Sequence, residues 1–144
     1  MWIANEVQQY ILPMKNINAI IVDEERLARV NLRRLLEPFP EVTITGEANS
    51  CESALKLINL SKPHLVFLDI QLHGETCIEL LELIDNSIKV IFVTAYDEDA
   101  LGNFEANASD YLSKPVNPGR LREAIERVKQ IKQHQKRNEV LCVF

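Results

Sequence analysis

Five short runs of apolar or β-branched residues punctuate the chain: Ala19–Val22, Val42–Thr45, Leu65–Leu68, Lys89–Val93 and Asp110–Leu112. Their length and composition predict strands. Between them, apolar side chains recur at helical spacing. Glu25–Leu36 places Leu27, Val30, Leu32, Leu35 and Leu36 in this way and is stopped by Pro38 and Pro40. Further helices are predicted over Glu52–Leu60, with Ala54, Leu55 and Ile58 on its apolar stripe and Ser50 or Asn49 as its cap, and over Glu75–Ile84 and Glu98–Asn107. A last helix starts at Pro118, is capped by Asn117, and carries Leu121, Ile125, Val128 and Ile131 on one face.

Strands that are apolar throughout and alternate with helices predict a parallel sheet covered on both faces. Right-handed crossovers then give an α/β doubly wound fold, and with five strands the expected arrangement is flavodoxin-like, strand order 2-1-3-4-5. The predicted domain occupies residues 17–130. Residues 1–16 form an N-terminal extension in which Trp2, Ile3, Val7, Tyr10 and Ile11 can cluster, and residues 131–144 form a C-terminal linker or tail ending in Val140–Phe144.

A length of 144 residues suits one such domain. Sixteen basic against 21 acidic side chains leave a net charge of −5, which disfavours sequence-independent nucleic-acid binding. Four widely spaced glycines exclude both the GxGxxG fingerprint and the Walker A loop. Cys51, Cys77 and Cys142 are odd in number and fit free thiols in a reducing compartment. No apolar run reaches the ~18 residues of a membrane span, and the N-terminus lacks a signal-peptide pattern, so a cytoplasmic chain is expected.

In an open parallel sheet, ligands bind beyond the carboxyl ends of the strands, beside the point where strand order reverses. Asp23, Glu24 and Glu25 follow the first predicted strand, Asp69 the third, Thr94 the fourth, and Lys114–Pro115 the fifth. Taken singly, each has an ordinary reading: an Asp as turn former, a Thr as strand former, a Lys as solvated loop charge. Taken together, Asp23, Glu24 and Asp69 would crowd at the switch point. Clustered carboxylates repel one another and call for a cation, for which Mg²⁺ with retained waters is suited, and for Lys114. A carboxylate there can become an aspartyl-phosphate, with the Thr94 hydroxyl and Lys114 ammonium stabilising the phosphoryl oxygens.

The segments Ile21–Arg29, Phe67–Ile70, Val93–Tyr96 and Asp110–Pro115 resemble the CheY-like receiver domain of bacterial response regulators, most closely the LytTR-type subgroup. The resemblance spans roughly residues 17–130. It implies a phosphoacceptor module of a two-component system, not an enzyme beyond catalysis of its own phosphorylation and dephosphorylation. Asp69 is then the phosphoacceptor for a sensor histidine kinase. Asp23, Glu24, Asp69 and the backbone carbonyl of Gln71 hold Mg²⁺, Thr94 and Tyr111 form a switch pair, Lys114 contacts the phosphoryl group, and the bond to Pro115 is cis. The face formed by the fourth helix, fifth strand and fifth helix is expected to meet a partner, including a second copy of the chain. LytTR-type regulators usually continue into a DNA-binding output domain, so an effector outside this chain is implied and no direct DNA contact by these residues.

Three positions depart from the family pattern: Glu24 where Asp is commoner, His73 where Pro is frequent, and Cys77 where Gly usually opens the next helix. They motivate one alternative, a pseudo-receiver that binds partners without carrying phosphate. A small phosphatase on the same fold is a weaker rival, because Asp69-Ile70-Gln71 lacks the second acid of a DxD nucleophile motif.

Overall fold

The structure, a computed structural model, describes residues 16–69, 71–72, 75–76, 78–95 and 110–143, with side chains described over 16–69, 80–95 and 110–130. The elements are β1 (Ile17–Val22), α1 (Arg26–Leu36), β2 (Val42–Ala48), α2 (Cys51–Ser61), β3 (Leu65–Leu68), β4 (Gln71–Leu72), β5 (Glu75–Thr76), α3 (Ile78–Leu83), β6 (Lys89–Thr94), β7 (Asp110–Ser113) and α4 (Pro118–Val143). The main sheet has five strands in the order β2-β1-β3-β6-β7, every adjacent pair parallel. This is the flavodoxin-like order 2-1-3-4-5, with strand order reversing between β1 and β3.

Alternation along the central strands sends their side chains to two cores. Ile17, Ala19, Ile21, Leu65, Phe67, Ile91 and Val93 meet Leu32 and Leu36 of α1 and Leu121, Ala124, Ile125 and Val128 of α4. Ile20, Val22, Val66, Leu68, Val90 and Phe92 meet Ala54 and Ile58 of α2 and Leu80 of α3. Burial on both faces explains why these strands read as unbroken apolar runs. Full burial of each large side chain contributes roughly 1.5–3 kcal/mol, so the central strands form the stiff base on which the loops at their carboxyl ends stand.

Local signals fix the helix ends. The Ser50 hydroxyl accepts the Ser53 N–H at 3.1 Å and the Ser53 hydroxyl accepts the Ser50 N–H at 3.2 Å, a reciprocal cap that opens α2. Lys62 closes α2 in a left-handed conformation (φ 44°), immediately before Pro63. The Asn117 side-chain oxygen accepts the N–H groups of Gly119 and Arg120, with Pro118 as the first helical residue of α4.

Four expectations need correction. β2 runs on to Ala48, because its pairing with β1 outweighs the poor strand propensity of Gly46 and Glu47. The third helix begins at Ile78, not Glu75; Glu75–Thr76 instead pairs antiparallel with Gln71–Leu72. The α4 backbone remains helical to Val143, past the last apolar-stripe position at Ile131. Cys51 is disulfide-bonded, against the free-thiol reading: an odd cysteine count excludes complete pairing but not a single bridge. The helix expected over 98–107, residues 1–15 of the N-terminal extension, and the departures at His73 and Cys77 lie outside the described residues.

Candidate functional site

Each strand of the switch-point region delivers one polar residue just beyond its carboxyl end, held by one further backbone bond in the same direction. Asp23 follows β1 and its N–H donates to Ala48 O at 3.0 Å. Asp69 follows β3 and its N–H donates to Val22 O at 2.9 Å. Lys114 follows β7 and its N–H donates to the carbonyl of Thr94, the last residue of β6, at 2.9 Å. Carbonyls at the ends of β2, β1 and β6 therefore fix the backbone of the site.

The side chains converge on the Lys114 ammonium. Lys114 Nζ donates to Asp23 Oδ2 at 2.7 Å and to Asp69 Oδ2 at 3.0 Å. Asp23, Asp69 and Thr94 are the buried polar residues of the described chain, at 5%, 8% and 1% exposure, within an otherwise apolar list. Burial opposes the charge on Lys114, but its hydrogen bonds to Asp23 and Asp69 and their two negative charges outweigh it, so its pKa lies above the ordinary lysine value. The second Asp23 oxygen, Oδ1, accepts the Glu25 N–H at 3.0 Å, and the Asp23 carbonyl accepts Arg29 Nη1 at 2.7 Å.

Thr94 shares its strand alternation with Val90 and Phe92, which places it on the α2/α3 face of the sheet. Tyr111, half-buried, packs against the core of that same face, with Phe92 as its register partner. The Lys114–Pro115 peptide bond is cis. Gln71 lies in β4, two residues after Asp69, opposite Thr76. Glu24 is half-buried next to Asp23.

Among the described residues no three acidic, His or Cys side chains form a ready-made metal cluster; the structure brings Asp23 and Asp69 to one lysine without gathering Glu24 into the same group. A buried carboxylate pair still matches Mg²⁺, which takes one or two carboxylates and keeps several waters. The donor set therefore fits the ion without a third carboxylate in place.

Two charged networks were not legible in advance. Asp110, at the start of β7, takes Arg120 Nη2 at 2.8 Å and Arg127 Nη1 at 3.0 Å, and Arg120 also donates to Tyr111 O at 2.7 Å. Glu47, on β2, takes Arg29 Nε at 2.9 Å and Arg33 Nε at 2.6 Å. The one available signal was the i, i+4 spacing of Arg29 and Arg33, which puts two cations on one helix face and asks for an anion opposite.

A lysine bridging two buried acids at the carboxyl edge of a doubly wound parallel sheet defines a class of domain built to manage dense negative charge. Comparison with known proteins makes this specific. The family described as response regulator receiver domain matches residues 19–126. The chain is 43% identical over 122 residues to an uncharacterised response regulatory protein of Vibrio cholerae, covering 83% of this chain and 51% of that protein. It is 41% identical over 122 residues to the sensory transduction protein LytT of Bacillus cereus, covering 83% of this chain and 50% of that one. Among solved structures, a LuxR-family two-component response regulator from Aurantimonas sp. superposes with a TM-score of 0.72 at 29% identity, over 80% of this chain and 86% of that one. The chain thus belongs to the response regulator receiver domain family, modules of two-component signalling, with LytTR-type relatives. It spans about half the length of the curated relatives it matches. No helix among the described residues is long and apolar enough to cross a membrane.

Proposed function

We propose that the chain is a phosphorylation switch in which Asp69 accepts a phosphoryl group from the phosphohistidine of a sensor kinase. The observation that carries this reading is the Lys114 ammonium donating at once to Asp69 and Asp23 in a nearly buried site. In the transfer, an Asp69 carboxylate oxygen forms the new bond to phosphorus as the phosphorus–nitrogen bond breaks. The imidazole leaves and takes a proton, and the product is an acyl phosphate. Lys114 is placed to hold the phosphoryl oxygens, where charge accumulates. Asp23, Glu24, Asp69 and the Gln71 carbonyl would hold Mg²⁺, which when bound supplies charge neutralisation around the phosphoryl group.

Thr94 and Tyr111 share one sheet face, which supports a role as the pair that senses phosphate and passes the change to the edge of the sheet. A ligand shifts such an equilibrium only through contacts that differ between the two states, and in this reading the Thr94 hydroxyl makes one. The partners in this reading are a histidine kinase, an output domain or effector, and a second copy of the chain meeting the β7–α4 side. Its site of action is the cytoplasm.

The test is incubation with a small phosphodonor such as acetyl phosphate and Mg²⁺, read by intact mass. The wild type gains one phosphoryl group, D69N gains none, and chelation of Mg²⁺ abolishes the gain. A wild type that gains no mass overturns the reading in favour of a pseudo-receiver.

A further inference from the structure

Asp23 is held at every polar atom: its N–H by Ala48 O, Oδ1 by the Glu25 N–H, Oδ2 by Lys114, and its carbonyl by a side chain outside the Lys114 cluster. That side chain is Arg29, whose Nη1 donates to the Asp23 carbonyl at 2.7 Å. That carbonyl belongs to the peptide plane carrying the Glu24 N–H, so fixing it fixes the direction in which the chain delivers Glu24. Arg29 is itself held. Its Nε donates to Glu47 Oε1 at 2.9 Å, its side chain is only 16% exposed, and Glu47 Oε2 takes Arg33 Nε at 2.6 Å.

Glu47 reaches α1 because of an irregularity in β2. The register pairs Ala19 with Ile44 and Ile20 with Gly46, so Thr45 is an extra residue in the ladder. Before it, Val42 and Ile44 face the core shared with α1 and α4. After it, Ala48 faces the opposite core, and a Cβ on Gly46 would meet Leu57 of α2. The one-residue insertion therefore flips the strand. It turns Glu47, which an unbroken strand would have aimed toward α2, onto the α1 face beside Arg29 and Arg33.

We propose that the Thr45 bulge, Glu47 and Arg29 form a positioning device for the Asp23–Glu24 segment, setting its geometry for Mg²⁺ and hence for phosphoryl transfer; this rests on the reading of that segment as Mg²⁺-holding. Arg29 touches neither the phosphoryl group nor the ion and acts through the backbone of Asp23. A guanidinium fork is needed because two acceptors, a carboxylate and a carbonyl, are engaged at different nitrogens, which an ammonium cannot reproduce in the same geometry.

Positioning and simple charge predict opposite signs. Arg29 is a cation near a cation site, so if its charge alone mattered, R29Q would bind Mg²⁺ more tightly. If Arg29 positions the segment, R29Q, R29K and E47Q all bind more weakly, by about ten-fold, the usual scale for losing a group that orients metal ligands. R33Q, which leaves both Arg29 bonds in place, changes affinity by no more than about two-fold. The experiment is calorimetric titration of Mg²⁺ into the full chain. It is paired with the Mg²⁺ concentration for half-maximal phosphorylation by acetyl phosphate, and with urea unfolding in chelator. Loss of the device in R29Q raises half-saturating Mg²⁺ and leaves the phosphorylation reached at saturating Mg²⁺ unchanged, whereas a purely structural loss would lower that plateau. R29Q binding Mg²⁺ as tightly as wild type, or more tightly, overturns the proposal. A wild type with no saturable Mg²⁺ binding overturns the underlying reading as well. If R29Q does not fold, R29K decides: it keeps the charge, so weaker Mg²⁺ binding supports positioning and unchanged binding overturns it.

Discussion

Lys114 Nζ donates to Asp69 Oδ2 at 3.0 Å across 45 residues of sequence, and the same nitrogen reaches Asp23 at 2.7 Å. The ammonium is the counter-charge through which two nearly buried carboxylates coexist. K114M removes it and leaves like charges facing each other, which destabilises the metal-free protein by about 3–5 kcal/mol. Mg²⁺ can replace the lost positive charge, so the variant recovers more stability on Mg²⁺ addition than wild type does. Urea unfolding with chelator and with Mg²⁺ checks this; equal Mg²⁺ stabilisation of both proteins contradicts it.

The same contact has an alkaline signature. Burial works against the Lys114 charge, but its two carboxylate partners raise its pKa in the folded protein above the unfolded value. The folded state therefore keeps its proton where the unfolded state has begun to lose one. The stabilisation is complete below the unfolded value of about 10.4 and fades as pH rises through the higher folded value. K114M lacks this component, so its unfolding midpoint falls less steeply than that of wild type across that alkaline range. Parallel slopes would disprove the assignment.

Asp110 supplies the acid counterpart. Burial pushes its carboxyl up, but hydrogen bonds from Arg120 and the Tyr111 N–H, and the charges of Arg120 and Arg127, hold it below the usual carboxylate range. A depressed folded pKa means that the unfolded state binds more protons as pH falls. The contribution is therefore present above about pH 4 and lost below it. Glu47 is lowered in the same direction, its burial outweighed by Arg33 and Arg29, so the acid limb is shared. D110N is expected to be about 1–3 kcal/mol less stable at neutral pH and to lose less stability on acidification. Urea midpoints at neutral and acid pH measure both, and an acid response equal to wild type sinks the attribution.

The positions of the candidate site residues were legible because each sits at the end of a predicted strand, where topology places a candidate site. Asp23, Asp69, Thr94 and Lys114 could be picked out from the four runs that precede them. Strand order follows from the alternation of strands with helices, and the Ser50 and Asn117 caps follow from side-chain chemistry that acts within three residues. What stayed hidden depends on neighbours distant in sequence. The insertion at Thr45 shows only when β2 is laid against β1, and the face of Glu47 depends on it. Asp110 reads as a strand start, and nothing near it indicates Arg120 or Arg127. The short β4–β5 pair escaped because Glu75–Thr76 also continues the helical pattern of the residues that follow.

Gly46 tests the packing consequence of that insertion. Its φ is not in the left-handed region, so backbone conformation does not require glycine. The constraint is Leu57 of α2, whose Cδ2 and Cδ1 would lie 2.9 and 3.0 Å from an added Cβ. Those atoms are the far end of a flexible side chain, which can turn aside at moderate cost. G46A therefore destabilises by about 1–2 kcal/mol, the range of mild overpacking, offset in part by the reduced freedom of the unfolded chain. In an L57A background the clash is absent, and the same substitution becomes neutral or stabilising, by up to about 1 kcal/mol. Urea unfolding of the two single variants and the double variant gives the coupling. If G46A costs the same with and without Leu57, the contact is not what reserves this position for glycine.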